Sequence, residues 1–155
     1  MSKTEINPAI GAMLQNAGEW LMREHALFQT LDLKPLLIGR NKATFSVYLP
    51  EDFCDAKGRI HGGLFTIIMD SILGLAAFTA LDEFKPVATI NLRTDYLDEA
   101  GPGGRVICAC ECTRLRGDVA YVAGQLTSEE DNRLIATASG AFMVGARGRS
   151  KESRL

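Results

Sequence analysis

The sequence predicts an α+β fold in which a curled antiparallel sheet of about six strands wraps around one long central helix. Three observations predict it. Residues 64–81 are apolar almost throughout, four later segments alternate between apolar and polar side chains, and residues 7–28 carry apolar side chains at helical spacing. With 155 residues, 46% of them hydrophobic, the chain is expected to form one domain over residues 1–155 with its core at 33–144.

The N-terminal half is expected to contain a hairpin between two helices. Behind an Asn7-Pro8 start, apolar positions recur at the spacing of an amphipathic helix over residues 7–28. Two strands follow at 33–39 and 43–49, joined by a GRNK turn, and Pro50 stops the second. A polar loop over 50–61 then leads to the apolar helix, which is expected to end near Leu81 before the sequence DEFKP.

The C-terminal half is expected to supply four strands, each with one face turned to the core, at residues 88–97, 106–115, 119–127 and 134–144. On the first of these, alternation places Ala88, Ile90, Leu92 and Tyr96 on one face, and Thr89, Asn91, Arg93 and Asp95 on the other. The intervening sequences GPGG, RGD and EEDNR are interpreted as turns, RGD included. The tail at 146–155 has no apolar pattern and is expected to be flexible.

Charge and hydropathy argue against several classes of function. The chain has 17 basic and 19 acidic residues, and this balance offers no electrostatic footprint for nucleic acid. The apolar stretch is interrupted by Thr66, Asp70, Ser71, Gly74 and Thr79, which favours a buried helix over a membrane span. The N-terminus lacks the basic-then-apolar order of a secretory signal, so we expect a cytoplasmic protein with no membrane partner.

The four cysteines are interpreted as small buried side chains. Cytoplasmic proteins rarely keep disulfides. Cys108, Cys110 and Cys112 form the sequence CACEC, and period-two spacing places three thiols on one face of a strand. Zinc sites instead space paired cysteines two to four residues apart and recruit histidines or a second pair. We therefore predict no metal site and no cofactor, and Cys54 is expected to be equally structural.

One carboxylate, Asp70, lies in the middle of the apolar helix, and this helix opens with the sequence HGG at 61–63. An unpaired charge is costly to bury, so Asp70 is either hydrogen-bonded to a neighbouring hydroxyl or used in function. The HGG sequence, the Asp nine residues after its histidine, and the following strand TINLRTDYL resemble the hotdog-fold acyl-CoA thioesterases of the phenylacetate-degradation (PaaI-like) type. The resemblance covers about residues 33–144.

The resemblance implies hydrolysis of an acyl-CoA thioester at sites that lie in the interface of a homodimer, with dimers that usually pair into homotetramers. It implies that Asp70 is the catalytic carboxylate and that the backbone N–H of Gly62 is the oxyanion donor. It also implies that His61 supports this turn, with Gly63 beside it at the substrate.

Two further positions follow from the same resemblance. Many family members have an asparagine six residues before the histidine, where it is thought to position water or the thioester. This chain has Asp55 at that position, which departs from the pattern. Thr89 lies about where some members place a water-binding serine or threonine.

Helix geometry predicts that the site is shared between two chains. A helix N-terminus offers unpaired N–H groups and a positive dipole, which suit an oxyanion. Gly62 and Asp70 are eight residues apart, hence about 12 Å along one helix, so one chain cannot bring both to the same carbonyl. Two antiparallel helices can. The stripe shared by Asp70, Gly74, Ala77 and Leu81 is expected to face the partner or the acyl chain, because Gly74 and Ala77 are small.

The phosphates of CoA should require basic side chains around the site. The candidates are Arg114 and Arg116 at a strand end, Lys57 and Arg59 before the helix, and Arg147 and Arg149 in the tail. The leading hypothesis is a thioesterase for a small or medium, possibly aromatic, acyl-CoA. A non-catalytic acyl-CoA binding protein and a hydratase on the same fold are the alternatives, and the sequence does not define the acyl group.

Overall fold

The computed structural model describes residues 5–146, without the side chains of residues 17, 20 and 21. Its elements are α1 (Pro8–Glu24), α2 (Ala26–Thr30), β1 (Lys34–Gly39), β2 (Lys42–Tyr48), a 3₁₀ turn (Glu51–Phe53), α3 (Gly62–Thr79), β3 (Val87–Tyr96), β4 (Arg105–Arg116), β5 (Val119–Ser128) and β6 (Leu134–Val144). Of the tail that was expected to be flexible, residues 147–155 lie outside the described residues.

The six strands form one antiparallel sheet in the order β1-β2-β4-β5-β6-β3. Strands β1 and β2 form a hairpin, and β4, β5 and β6 follow one another as a meander. The chain leaves β2, passes through α3 and returns as β3 at the far edge, beside β6. Strands β1 and β3 are therefore the two edges of the sheet, and the predicted α+β architecture is confirmed.

Helix α3 forms the centre of the core. It packs against strands β2, β3, β4, β5 and β6, and half of its residues are buried there. The largest of these are Leu64, Phe65, Ile68, Met69, Ile72 and Leu73. Burying a side chain of this size contributes about 1.5–3 kcal/mol, so the six side chains of α3 make a substantial contribution to the stability of the domain. By length and hydropathy α3 could also span a membrane, but its burial here is that of a core helix.

The sheet covers only one side of α3. On the other side Asp70, Ser71 and Leu75 are half-buried, and Ile67 is 42% exposed. The expectation that the stripe through Gly74, Ala77 and Leu81 faces a partner or the acyl chain is wrong, because Ala77 and Leu81 are buried within the protomer. A Cβ on Gly74 would lie 3.2 Å from the Phe142 ring, so the absent side chain there accommodates β6.

Strand β3 differs from its predicted alternation because it contains a β-bulge at Ile90. Thr89 pairs with Phe142 and Asn91 pairs with Ala141, which leaves Ile90 without a partner in the register. The extra residue brings Thr89 to the same side as Tyr96, and both side chains bond to residues of α3. Ala88 is exposed, Ile90 is 49% exposed and Tyr96 is 55% exposed, so the predicted buried face is wrong at these positions, whereas Leu92 packs against the core as predicted.

The N-terminal helix is also divided. A single helix was predicted over residues 7–28, but His25 has an extended backbone (φ −96°, ψ 110°) between α1 and α2. The break redirects the chain so that Leu31 and Leu33 enter the core, where the backbone carbonyl of Leu31 accepts a hydrogen bond from Tyr48 of β2. Burial of these two leucines thus overrides the helical periodicity of the sequence.

The three cysteines of β4 lie on its core face, as the alternation predicted, and all four cysteines are free thiols. The Sγ atoms of Cys108 and Cys110 are 3.6 Å apart. This contact and burial raise the pKa of the Cys108 thiol well above its usual value. A Cβ on Gly124 of β5 would lie 2.6 Å from the Cys110 sulfur, so this glycine makes room for the thiol.

Candidate active site

The first turn of α3 presents one free backbone donor. His61 is the N-cap, and its Nδ1 accepts a hydrogen bond from the Gly63 N–H at 3.0 Å. The N–H of His61 donates to the Phe53 carbonyl at 2.8 Å, which anchors the cap to the preceding loop. Within residues 5–146 no acceptor takes the N–H of Gly62. Gly62 therefore offers an unpaired donor at the positive end of the helix dipole.

Gly63 has a different part in this turn. Its N–H is occupied by His61, and a Cβ on Gly63 would lie only 2.9 Å from the His61 Nδ1 atom. Glycine at this position therefore lets the imidazole fold back over the helix terminus. The structure places His61, Gly62 and Gly63 together, with His61 in the turn-supporting position and Gly63 as the partner of the cap.

An aromatic side chain that the sequence did not single out covers the same turn. A Cβ on Gly62 would lie 3.2–3.5 Å from three atoms of the Tyr96 ring. The Tyr96 hydroxyl lies 2.6 Å from Thr66 Oγ1, and the Thr66 hydroxyl donates to Thr94 Oγ1 at 3.1 Å. Because the Thr66 proton is used on Thr94, the Tyr96 hydroxyl donates to Thr66. Tyr96, Thr66 and Thr94 thus form one wall beside the free Gly62 donor.

The carboxylate of Asp70 lies two turns further along α3. Its Oδ1 accepts a hydrogen bond from Thr89 Oγ1 at 2.8 Å, and no other donor within residues 5–146 reaches this carboxylate. The pairing with a hydroxyl is the arrangement expected of a structural acid, but Asp70 remains half-buried rather than enclosed. Its second oxygen is left available to a molecule outside the protomer.

Two further observations fix the spacing of the site. Gly62 and Asp70 are on the same helix, so their separation along its axis is about 12 Å. Tyr96 and Thr89 contact these two positions from opposite ends of β3. Thr89 therefore lies beside Asp70, a contact that the sequence did not predict, but the Gly62 donor and the Asp70 carboxylate of one protomer remain apart.

Asp55 is engaged elsewhere. Its Oδ1 accepts the backbone N–H groups of Lys57 and Arg59, and its Oδ2 accepts the Arg59 guanidinium at 2.9–3.1 Å. The backbone N–H of Arg59, its guanidinium and the Lys57 N–H hold the pKa of the Asp55 carboxyl below its usual value. Arg59 also pairs with Glu99. The Asp55 carboxylate thus shapes the loop before α3.

The basic candidates do not gather around Asp70 within one protomer. Arg114 and Arg116 are exposed at the end of β4. That strand is three positions from β3 in the sheet, or about 14 Å at the usual strand spacing. Arg59 is committed to Asp55 and Glu99, Lys57 is exposed, and Arg147 and Arg149 lie outside the described residues.

Comparison with known proteins identifies the family. The model of the family described as "Thioesterase superfamily" matches residues 57–135, which is just over half of the chain and includes α3. A protein of Pseudomonas aeruginosa that is named as an esterase is 32% identical to this chain over 104 residues. The aligned region covers 67% of this chain and 76% of the Pseudomonas protein. The chain belongs to the thioesterase superfamily.

Solved structures of other proteins show the same architecture. A variant of the phenylacetic acid degradation protein PaaI from Thermus thermophilus matches with a TM-score of 0.67 and 26% identity, over 76% of this chain and 96% of its own. Escherichia coli PaaI matches with a TM-score of 0.73 and 12% identity, over 84% of this chain and 91% of the PaaI chain. The two proteins thus share the fold. This thioesterase-superfamily chain therefore has the hotdog fold, is PaaI-like and is a thioester hydrolase.

Three residues of the site were missed as functional candidates, namely Thr66, Thr94 and Tyr96. A signal for them was present in part, since Thr66 follows Gly62 by four residues and so lies on the same face of a helix. Tyr96 was placed on the face opposite Thr89, because simple alternation does not include the bulge at Ile90.

Proposed function

We propose that this protein hydrolyses a small or medium acyl-CoA thioester to a free acid and CoA. The observation that carries the proposal is the combination, on one helix, of a free Gly62 N–H at the N-terminus and the half-buried Asp70 carboxylate about 12 Å away. Each supplies one requirement of thioester hydrolysis. The amide polarises the carbonyl, and the carboxylate activates the attacking group.

We propose that a homodimer completes the site, with Asp70 of one protomer facing the Gly62 end of the partner's helix. The uncovered side of α3, with Ile67 exposed beside Asp70, supports this arrangement. The edge strand β3 supports it too, because its unpaired backbone, the exposed side chain of Ile90 and that of Leu97 just after the strand offer a surface to a second copy. Pairing of such dimers into a homotetramer is part of the same proposal.

As a general base, Asp70 would take a proton from water while the water oxygen forms a bond to the thioester carbon. The carbonyl oxygen becomes an oxyanion, and the Gly62 N–H donates to it. The C–S bond then breaks, and the thiolate of CoA leaves and receives a proton. As a nucleophile, Asp70 would instead form an acyl anhydride that water hydrolyses. Thr89 orients the carboxylate in either route through its hydrogen bond to Oδ1.

We propose a smaller role for the remaining candidates. Arg114 and Arg116 would contact CoA phosphates only from another protomer or along an extended CoA, given their distance from Asp70. Asp55 would act by holding the loop that anchors His61, since its oxygens are already occupied by donors.

The test is release of free thiol by the purified protein from acetyl-, hexanoyl-, phenylacetyl- and hydroxybenzoyl-CoA. We expect turnover of at least one of these, and loss of turnover in Asp70→Asn. Asp52→Asn, on the exposed 3₁₀ turn, is the matched control and should retain wild-type rates. Binding of acyl-CoA without release of thiol by the wild-type protein would instead support a non-catalytic acyl-CoA binding protein.

A mixing experiment tests whether the site is shared. Asp70→Asn chains keep Gly62, and Gly62→Ala chains keep Asp70, so a heterodimer of the two contains one intact site. We expect refolded mixtures to be more active than either variant alone. Activity that stays at the weighted mean of the two variants would contradict the shared site while leaving hydrolysis itself intact.

A further inference from the structure

A large apolar cavity lies beside the C-terminal half of α3, on the side that the sheet leaves uncovered. Its volume is about 720 Å³, within the usual range for small-molecule sites. Helix α1 covers it, and the hairpin of β1 and β2 forms another side. Its main apolar lining residues are Met13, Leu14, Met22, Phe45, Leu75 and Phe78.

The lining leaves a ligand almost no polar partner. Gln15, Glu19 and Thr79 are its polar side chains, and the Thr79 hydroxyl is already donated to the Ala76 carbonyl at 2.8 Å. Glu19 would repel a carboxylate. Methionine side chains are flexible, so an apolar cavity that contains them can adapt to a flexible hydrocarbon chain. A hydroxyphenyl group would instead bury its hydroxyl where few hydrogen-bond partners are present.

The cavity and Asp70 lie on the same side of α3. Asp70, Ser71, Leu75 and Phe78 are all half-buried, and at 100° per residue they lie within one side of α3. Leu75 and Phe78, which line the cavity, are about 7.5 Å and 12 Å along the axis from Asp70. A group attached to a thioester at Asp70 can reach the cavity only if it is extended and several carbons long.

We propose that this cavity binds the acyl chain of the substrate, and that the substrates are thioesters of linear saturated acyl groups of about eight to fourteen carbons. The proposal rests on the proposed thioesterase function. A methylene group occupies a volume comparable to that of a water molecule, about 30 Å³, so about twelve of them need about 360 Å³ and fit within the cavity. Helix α1, which covers the cavity, then sets the preferred chain length.

Gly18 of α1 offers a way to fill the cavity without disturbing the catalytic residues. It lines the cavity, and a Cβ added there would meet nothing within 4 Å. Replacement of a helical glycine by another residue also favours the helix. Gly18→Phe should therefore fold and occupy part of the cavity, and Gly18→Ala is the matched control for the change in helix propensity.

The experiment measures kcat/KM for acyl-CoA substrates of 2 to 16 carbons and for phenylacetyl-CoA. We expect kcat/KM to rise by up to about fourfold per added methylene and to reach its maximum within the proposed range of about eight to fourteen carbons. Gly18→Phe should lower kcat/KM at least tenfold for dodecanoyl-CoA, leave butanoyl-CoA unchanged, and thus shift the optimum to shorter chains. Gly18→Ala, which adds only a methyl group, should keep the chain-length optimum of the wild type. An optimum at acetyl or phenylacetyl, or equal losses at every length in Gly18→Phe, would overturn the inference.

A binding measurement separates this inference from the proposed function. Calorimetry with the non-hydrolysable thioethers S-butyl-CoA and S-dodecyl-CoA should show tighter binding of the dodecyl compound, and Gly18→Phe should abolish the difference. If no thioester is hydrolysed but this difference is found, the proposed function fails and the acyl-chain site stands. If the two thioethers bind equally, the proposed acyl-chain site is wrong, whatever hydrolysis rates are measured.

Light scattering of Gly18→Phe should show an unchanged molecular mass, since a changed mass would mean that a second copy of the chain occupies the cavity.

Discussion

Asp55 and Asp70 are both half-buried carboxylates, yet hydrogen-bond donors occupy their oxygens to very different extents. Asp55 accepts two backbone N–H groups and two guanidinium N–H groups, which saturate its oxygens. Asp70 accepts one hydrogen bond within residues 5–146, from Thr89. The Asp55 carboxylate therefore holds the backbone of the loop before α3. The Asp70 carboxylate, by contrast, keeps lone pairs that can accept a hydrogen bond from water or substrate.

The largest effect should follow from removal of the free carboxylate. Asp70→Asn keeps an oxygen that accepts from Thr89, but it cannot take a proton or attack a carbonyl. We expect kcat for thiol release to fall by about a hundredfold to ten-thousandfold with little change in the unfolding midpoint. Asp55→Asn, its counterpart in the loop, should retain activity within about tenfold. Equal losses in the two variants would contradict the distinction between them.

The next effect concerns access to the Gly62 donor. A methyl group on Gly62 would lie 3.2 Å from the Tyr96 ring, so Gly62→Ala must displace either the ring or the helix terminus. We expect kcat to fall by about tenfold to a hundredfold. The double variant Gly62→Ala/Tyr96→Leu has room for the methyl group and should recover part of the loss. Additive losses in kcat would mean that the ring and the glycine act independently.

Thr89 tests the single hydrogen bond to Asp70. A hydrogen bond to a charged group contributes about 1.5–3 kcal/mol when it is made. Thr89→Val keeps the shape of the side chain and removes the donor, so we expect kcat to fall by about tenfold with KM nearly unchanged. Thr89→Ser restores the hydroxyl and should restore kcat. A loss in KM alone would place Thr89 at the substrate and not at the carboxylate.

The elements that were predictable from the sequence have a strong local pattern. The apolar run of α3 and the alternation of β4 predict both elements, and the family resemblance carried by HGG implies that His61 supports the helix start, where it is the N-cap. The rest depended on tertiary contacts. The bulge at Ile90, which turns Thr89 toward Asp70, belongs to the pairing with β6, and the break at His25 precedes a segment in which Leu31 is buried in the core. A local pattern cannot specify either.

His61 links the two regions, because it follows the Asp55 loop and caps the helix of Asp70. Its Nδ1 accepts the Gly63 N–H, and loss of an N-cap costs about 1 kcal/mol. His61→Ala should lower the free energy of unfolding by about this amount in urea titrations. His61→Asn, whose side-chain oxygen can also accept from the helix terminus, should lie closer to the wild type. Equal destabilisation by both variants would show that the cap hydrogen bond contributes little.

The smallest effect should appear in the acid dependence of stability. Hydrogen bonds from Arg59 and Lys57 lower the pKa of Asp55 in the folded protein below its ordinary value of 3.8. The unfolded chain therefore binds the proton at a higher pH than the folded chain does. The resulting stabilisation is fully present above about pH 5 and is lost as the pH falls through the folded pKa. Asp55→Asn lacks this contribution, so its unfolding midpoint in urea should lie below that of the wild type at pH 6, and the difference should narrow as the pH falls below 3.8. Arg59 and Glu99 remain paired in the variant, and the exposure of the pair keeps the gap small. A gap that stayed constant down to pH 3 would mean that Asp55 acts through packing and not through its charge.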